Sequence, residues 1–385
     1  MADYEDRHRR ALLDGGWIPA QPDAGGLPDI PAENRAFAQF ALVLLLAVGL
    51  IAALYAYLAS PAAYSLRTGG LGRFVTLRRF YAAPPPELQG RPYLLGLGDS
   101  LTLEGVDCRL LDELAGPGAV PTYNLSQPNK VDASYLIDLQ QPVVQHAQVV
   151  LLVGPATTFS QGERTVPENQ ANMLRLLGFP LDRPGLEQFA GLAPGSGVDY
   201  LLAPRYLHVL DSRWRIAADF EKRLKLLAPW VPPATKDATR ALDQGYATDL
   251  KSASLPLAST PQQMQRSLAQ RLSDDPGLFD GGFRPSPGAL AAFGFVLQRL
   301  AAGTQGVVLV IAPLHPLLQA QLGQAGTAQF RRQIEGYAGP RVRVLDLGGL
   351  LDAADFRDEL HPDAAGAEKI TRALARALQA QPAGN

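Results

Sequence analysis

Residues 37–58 read FAQFALVLLLAVGLIAALYAYL, with Gln39 as the one strongly polar side chain. As a helix rising about 1.5 Å per residue, this stretch is about 33 Å long, enough to cross a bilayer core. Inside lipid a single segment can satisfy its own backbone groups only as a helix, so its conformation has little choice. A helix covering a soluble core carries a polar stripe, and this one is apolar all round. The apolar part of a cleaved signal is shorter and starts nearer the N-terminus, whereas here 36 residues come first. Residues 37–59 therefore read as a single transmembrane helix that holds the chain in a lipid bilayer, with Tyr55 and Tyr57 suited to the interface. The flanks speak to orientation. Arg35 lies just before the span, and Arg67, Arg73, Arg78 and Arg79 follow it. Counted alone, these charges favour a cytoplasmic C-terminal part.

The rest of the chain is long enough for a sizeable core. Hydrophobic residues make up 47% and charged residues 19%, a globular balance. The net charge of −2 argues against nucleic-acid binding. A single cysteine, Cys108, excludes an intrachain disulfide, a Cys-based zinc site and a CxxC redox pair. No Walker A, HExxH or GxSxG pattern occurs, so neither a metal nor another cofactor is expected. Alanine, glycine, leucine, proline and arginine are abundant, as in bacteria of high GC content.

Four segments follow from the pattern. Residues 1–36 form a Pro-, Gly- and Asp-containing tail, 37–59 the span, and 60–91 a juxtamembrane linker ending near the stiff Ala82–Pro86 stretch. Residues 92–385 form the main domain. There, strand-length apolar runs (93–97, 122–125, 149–153, 307–312 and 342–347) alternate with helical stretches (103–114, 132–146, 287–302, 316–337 and 364–379). Runs such as VVLLV and VVLVIA are apolar on both faces, as buried parallel strands are. The alternation predicts an α/β domain with a parallel five-stranded sheet, whose sites form at the carboxyl ends of the strands. Residues 160–286 break the rhythm and read as a partly helical insertion, including a helix over 211–227. It is either a lid on the site or a surface elaboration.

The chemistry sits in two motifs. GLGDSLT, residues 96–102, places Ser100 in a small polar turn just past the first strand. A serine nucleophile needs a base, and the base needs an orienting carboxylate. Of five histidines, His361 has the best context, in FRDELHPD: Asp358 lies three residues before it, and Asp363 suits the N-cap of the last helix. His315, in APLHP, has no carboxylate at such spacing and reads as a loop or packing residue rather than a substrate contact. Asp99 reads as a turn acid bonded to backbone.

These motifs, GDSLT at 98–102 and Asp358-x-x-His361 before the last helix, resemble those of the SGNH (GDSL) hydrolase superfamily. The similarity covers about residues 92–160 and 300–385. It implies a three-layer α/β/α sandwich and a catalytic triad of Ser100, Asp358 and His361. The middle motifs depart from the family. Where its second motif offers a glycine N–H to the oxyanion, this chain has YNLSQPN, with Asn129 at about that place. Its third motif ends in Gly-x-Asn, and here the stretch is VGPATT, which leaves Thr157 as a substitute donor. With the membrane anchor, these departures are similar to the SGNH branch that accompanies membrane-bound O-acyltransferases. That likeness implies a periplasmic domain on a bacterial inner membrane, against the charge count. It also implies an esterase or O-acyltransferase acting on O-acetyl groups of an extracytoplasmic polysaccharide, partnered by such an acyltransferase. The alternatives are a non-catalytic carbohydrate-binding or scaffolding protein of the same fold, or a membrane-tethered lipase or thioesterase.

Overall fold

The computed structural model describes residues 32–59, 69–116, 120–128, 130–159, 171, 174, 177–204, 229–233, 249–253, 259–274 and 276–380. The chain divides into two units, Met1–Tyr57 and Leu58–Asn385.

In the first unit, a helix runs over Ala32–Ala59. Its Ala36–Ala53 portion is long and apolar enough to cross a membrane, and none of it is buried by protein. Phe37, Phe40 and Leu45 are among the exposed large side chains. A water-soluble surface would not leave such a row uncovered. The side chains of Tyr55 and Tyr57 lie outside the described part.

The second unit is α/β. Its five strands are β1 (Leu94–Gly96), β2 (Thr122–Asn124), β3 (Gln148–Val153), β4 (Gly306–Ile311) and β5 (Val342–Asp346). They form one parallel sheet in the order β2-β1-β3-β4-β5. The long pairing is β3 with β4, Gln148 opposite Gly306 through Val153 opposite Ile311. Every strand expected from the sequence is present, β1 and β2 with only three residues each. From β1 the chain winds outward to β2, then returns to the other side of β1 to make β3. A crevice opens at such a reversal, at the carboxyl ends of β1 and β3.

Three expected helices are interrupted: the one over 316–337 is kinked at Gly323, whose φ is 64°, and two others are divided, each for a local reason. The 103–114 stretch divides into Ser100–Gly105 and Cys108–Ala115, because Asp107 accepts from the backbone N–H groups of Arg109 and Leu110 and starts a new helix. The 132–146 stretch divides into Asp132–Asp138 and Pro142–Gln145, with Pro142 at the first turn of the second piece. Of the insertion, Arg183–Leu192, Val198–Leu202, Pro261–Asp274 and Pro276–Phe279 are helical. The helix expected over 211–227 lies outside the described residues, as does the N-terminal tail up to residue 31. The insertion ends in the core. Phe283 is fully buried, with ring centroids 5.5 Å from Phe159 and 5.2 Å from Phe330.

One boundary must be moved. Residues 60–91 were expected to be a linker, yet Gly69–Ala82 is a helix whose Phe74, Val75, Leu77, Phe80 and Tyr81 are buried in the main core. Arg73 on this helix is 1% exposed. Its guanidinium donates to the carbonyls of Asn124, the last residue of β2, and Ser126, just beyond it. Burial lowers its pKa to about 10, which still leaves it charged near neutrality. Tyr81, on the same helix, donates to Asp138 at 2.8 Å. Asp138 pairs with the buried Lys130, whose ammonium donates at 2.6 Å to the carbonyl of Leu97, just before the GDS turn. The packed domain thus begins at least by Arg73, not at Pro92.

Candidate active site

Ser100 is the first residue of a short helix that follows β1. Asp99 caps that helix, accepting from Leu101 N–H at 2.9 Å, which is the backbone role expected for it. The turn is tight. A Cβ at Gly98 would lie 1.7 Å from Thr102 Oγ1, so no larger residue fits. Thr102 uses that hydroxyl to accept from Leu152 N–H of β3 at 2.8 Å. Asn124, at the end of β2, donates to the carbonyls of Thr102, Leu103 and Val106 at 3.0–3.2 Å. The serine helix is therefore stitched to both neighbours of β1.

His361 comes from the loop ahead of the last helix, Ala364–Gln379. Asp363 caps this helix by accepting from Gly366 N–H at 2.8 Å, as the sequence suggested. The loop closes on itself: Arg357 N–H donates to the His361 carbonyl, and Asp363 N–H to that of Asp355. A Cβ at Gly366 would come 2.3 Å from the Asp355 carbonyl, so glycine permits this close return.

The geometry brings the three residues together. His361 Nε2 is 2.8 Å from Ser100 Oγ. Its Nδ1 is 2.9 Å from each oxygen of Asp358. Asp358 Oδ1 also accepts from the backbone N–H groups of Leu360 and His361, at 2.9 and 2.7 Å. Its Oδ2 lies 3.1 Å from Arg357 Nη1. These partners orient the carboxylate before any substrate arrives. With the Nδ1 hydrogen donated to Asp358, Nε2 is left to accept from the serine hydroxyl.

The charges support the same assignment. Burial opposes the charge on Asp358, but the hydrogen bond and charge of His361, with Arg357, outweigh it and hold the carboxyl well below its usual range. Burial also opposes the imidazolium of His361, and the Asp358 hydrogen bond with the Glu104 and Asp358 charges more than compensates, so its pKa is raised. Glu104 was not singled out in the sequence. It is buried, and its carboxylate forms a fork with Arg357 in which Nε approaches to 2.8 Å and Nη2 also donates. Burial raises its own pKa despite that partner. A carboxylate 253 residues from its arginine in sequence leaves no local pattern.

The two expected oxyanion donors fare differently. Asn129 lies outside the described residues. Thr157 follows β3 in the short Pro155–Thr158 helix, and its Oγ1 is buried with no hydrogen-bond partner. It lines a narrow cleft with Leu101, Pro155, Leu318 and Leu360. The side-chain amide of Gln127 is also buried and unpartnered, and its backbone N–H donates to the Gly98 carbonyl. The insertion reaches this region as well. Ser259 N–H donates to the Arg357 carbonyl at 2.7 Å. On the Pro261–Asp274 helix, Ser267 Oγ and Arg271 Nε donate to Glu359 at 2.6 and 3.1 Å. Cys108 has no part in this chemistry: burial pushes its thiol up to about 12.

Compared with protein-family models and with curated proteins, the chain matches none.

Proposed function

We propose that this protein is a membrane-anchored serine esterase or O-acyltransferase of the SGNH type, with a three-layer α/β/α catalytic domain. One observation carries the proposal: the unbroken line from Asp358 through His361 to Ser100 Oγ, with bonds of 2.9 and 2.8 Å. Its position at the carboxyl end of β1, beside the reversal of strand order, supports it.

In the first half-reaction, Ser100 Oγ bonds to an ester carbonyl carbon while its proton moves to His361 Nε2. The carbonyl π pair moves to oxygen, where the Ser100 N–H and the Thr157 hydroxyl receive it. Collapse re-forms the carbonyl and breaks the bond to the alcohol, which leaves with the proton from His361. In the second half-reaction, water or a sugar hydroxyl gives its proton to His361, attacks the acyl-enzyme and frees Ser100. Asp358 stays ionised and holds the imidazole tautomer throughout. The same triad serves hydrolysis and transfer.

The proposed substrate is the O-acetyl group of an extracytoplasmic polysaccharide, with the domain in the periplasm and a membrane-bound O-acyltransferase as partner. Support comes from the apolar anchor, the narrowness of the cleft and the departures from the usual oxyanion motifs. The test is a chromogenic acetyl ester offered to the full-length protein in detergent, with and without sugar acceptors. Hydrolysis or transfer that Ser100→Ala abolishes supports the proposal. Activity equal in wild type and Ser100→Ala would remove it and favour a binding role.

A further inference from the structure

His315 follows β4 and caps the Pro316–Glu335 helix with its ring. Nδ1 accepts from Leu317 N–H at 3.1 Å. A ring nitrogen that accepts carries no hydrogen, so the imidazole is neutral and its hydrogen sits on Nε2. Burial, which holds the ring below its ordinary pKa against the charges of Glu359 and Asp358, agrees with the neutral form. The side chain is 6% exposed and stands edge-on to Phe356, with centroids 5.1 Å apart. Two neighbours thus fix the ring. Among the described residues, Nε2 has no hydrogen-bond partner.

The ring faces the same narrow cleft as Thr157. Leu101 and Leu360, which directly adjoin Ser100 and His361 in sequence, form part of its wall. The other walls are apolar apart from Glu359, whose carboxylate is engaged by Ser267 and Arg271. Two hydrogen-bond donors without protein acceptors, in a small cleft whose wall includes the neighbour of Ser100, match a small oxygen acceptor. The Thr157 hydroxyl is buried without a partner, and a buried donor left unpaired costs stability. A ligand oxygen would remove that cost when it binds.

The geometry points to His315 as a substrate-binding residue, its Nε2–H and the Thr157 hydroxyl donating to the acyl oxygen at a cleft with room for a group about the size of one water, which limits the acyl chain to acetyl. This presupposes the acyl transfer proposed above, and it supplies a side-chain donor that the third motif lacks.

The test compares wild type, His315→Asn, Thr157→Val and the double variant as full-length protein in detergent micelles. Asparagine still caps Leu317 but is too short to reach the cleft. Valine keeps the volume of Thr157 and removes its hydroxyl. The measurements are kcat and KM on a chromogenic acetyl ester, the melting temperature, and labelling of Ser100 by a fluorophosphonate. Each single variant is expected to lower kcat by roughly 10²-fold, with KM and melting temperature nearly unchanged. If labelled wild type and His315→Asn show the same kcat, the donor role of His315 falls and the esterase proposal stands. If His315→Asn loses melting temperature in step with kcat, His315 is a cap alone and the inference is overturned. If wild type neither turns over ester nor accepts the label, the acyl-transfer proposal fails and this inference fails with it.

Discussion

The two halves of the site differ in how far the protein satisfies them by itself. In the Arg357–His361 loop, both oxygens of Asp358 are engaged by backbone, imidazole or guanidinium. In the half formed after β2 and β3, the Thr157 hydroxyl, the Ser126 hydroxyl and the Gln127 amide are buried without partners. Native proteins leave few such groups, because each one costs the desolvation of a polar atom. The proton-moving half is therefore complete in the free protein, while the half that would hold the acyl group keeps its hydrogen-bonding capacity for something else. Electrostatic preorganisation explains the first. Under the proposed acyl transfer, a donor kept unpaired for the developing charge, the Thr157 hydroxyl, would account for the second.

Breaking the complete half should have the largest effect. Ser100→Ala or His361→Ala is expected to cost at least about three orders of magnitude in kcat on an acetyl ester, and the double variant little more than either single one. Steady-state kinetics on the four proteins checks this, and additive losses would mean that the two residues do not act as a unit. Next comes Thr157→Val in the incomplete half, at about 10²-fold in kcat without a loss of melting temperature. A rate equal to wild type would show that the hydroxyl is not a donor in the reaction.

A smaller effect comes from the support beneath that half. Arg73→Gln should leave the carbonyls of Asn124 and Ser126 poorly paired inside the core, and so lower stability by about 1–3 kcal/mol. Chemical denaturation of the detergent-solubilised protein measures it. An unchanged midpoint would mean that water replaces the guanidinium there.

The gentlest test sharpens the electrostatic side. In the proposed mechanism His361 acts as a base only when neutral, and its pKa is raised. The rate should therefore rise with pH through a limb above the ordinary histidine value of about 6.5. Glu104→Gln removes one of the charges that favour the imidazolium, so the limb should move to lower pH. A kcat/KM profile in which the limb stayed in place or moved upward would exclude Glu104 from that role.

What the sequence disclosed follows the same division. Ser100, Asp358 and His361 were legible because each sits in a short motif next to a strand end or helix start, where spacing alone carries the geometry. β3 and β4 were legible because burial on both faces makes them almost wholly apolar, whereas β2 (Thr-Tyr-Asn) and the partly exposed β5, with Arg343 and Asp346, were legible from their place in the strand–helix alternation. Thr157 was picked out only as the residue standing where a usual donor is missing, and the structure adds that its hydroxyl is buried without a partner. Glu104 and Arg357 meet across the fold, and Arg357 could not be told from any other surface arginine. The Gly69–Ala82 helix was missed for a composite reason. Its three arginines and three glycines dilute the apolar positions at 74, 77 and 81, although those positions keep helical spacing. An arginine just beyond a membrane span also has a ready alternative explanation as a topology signal.

That helix has one more consequence. Arg73 grips carbonyl oxygens, which every residue type supplies equally. Its contact with the chain beyond β2 therefore places no demand on the identity of Ser126. Among sequence variants, Ser126 is free to drift on this account while Arg73 is not, so the pair would show no correlated change. The contact belongs to a kind of coupling that comparison of sequences passes over and a mutational scan registers as one intolerant position facing a tolerant one.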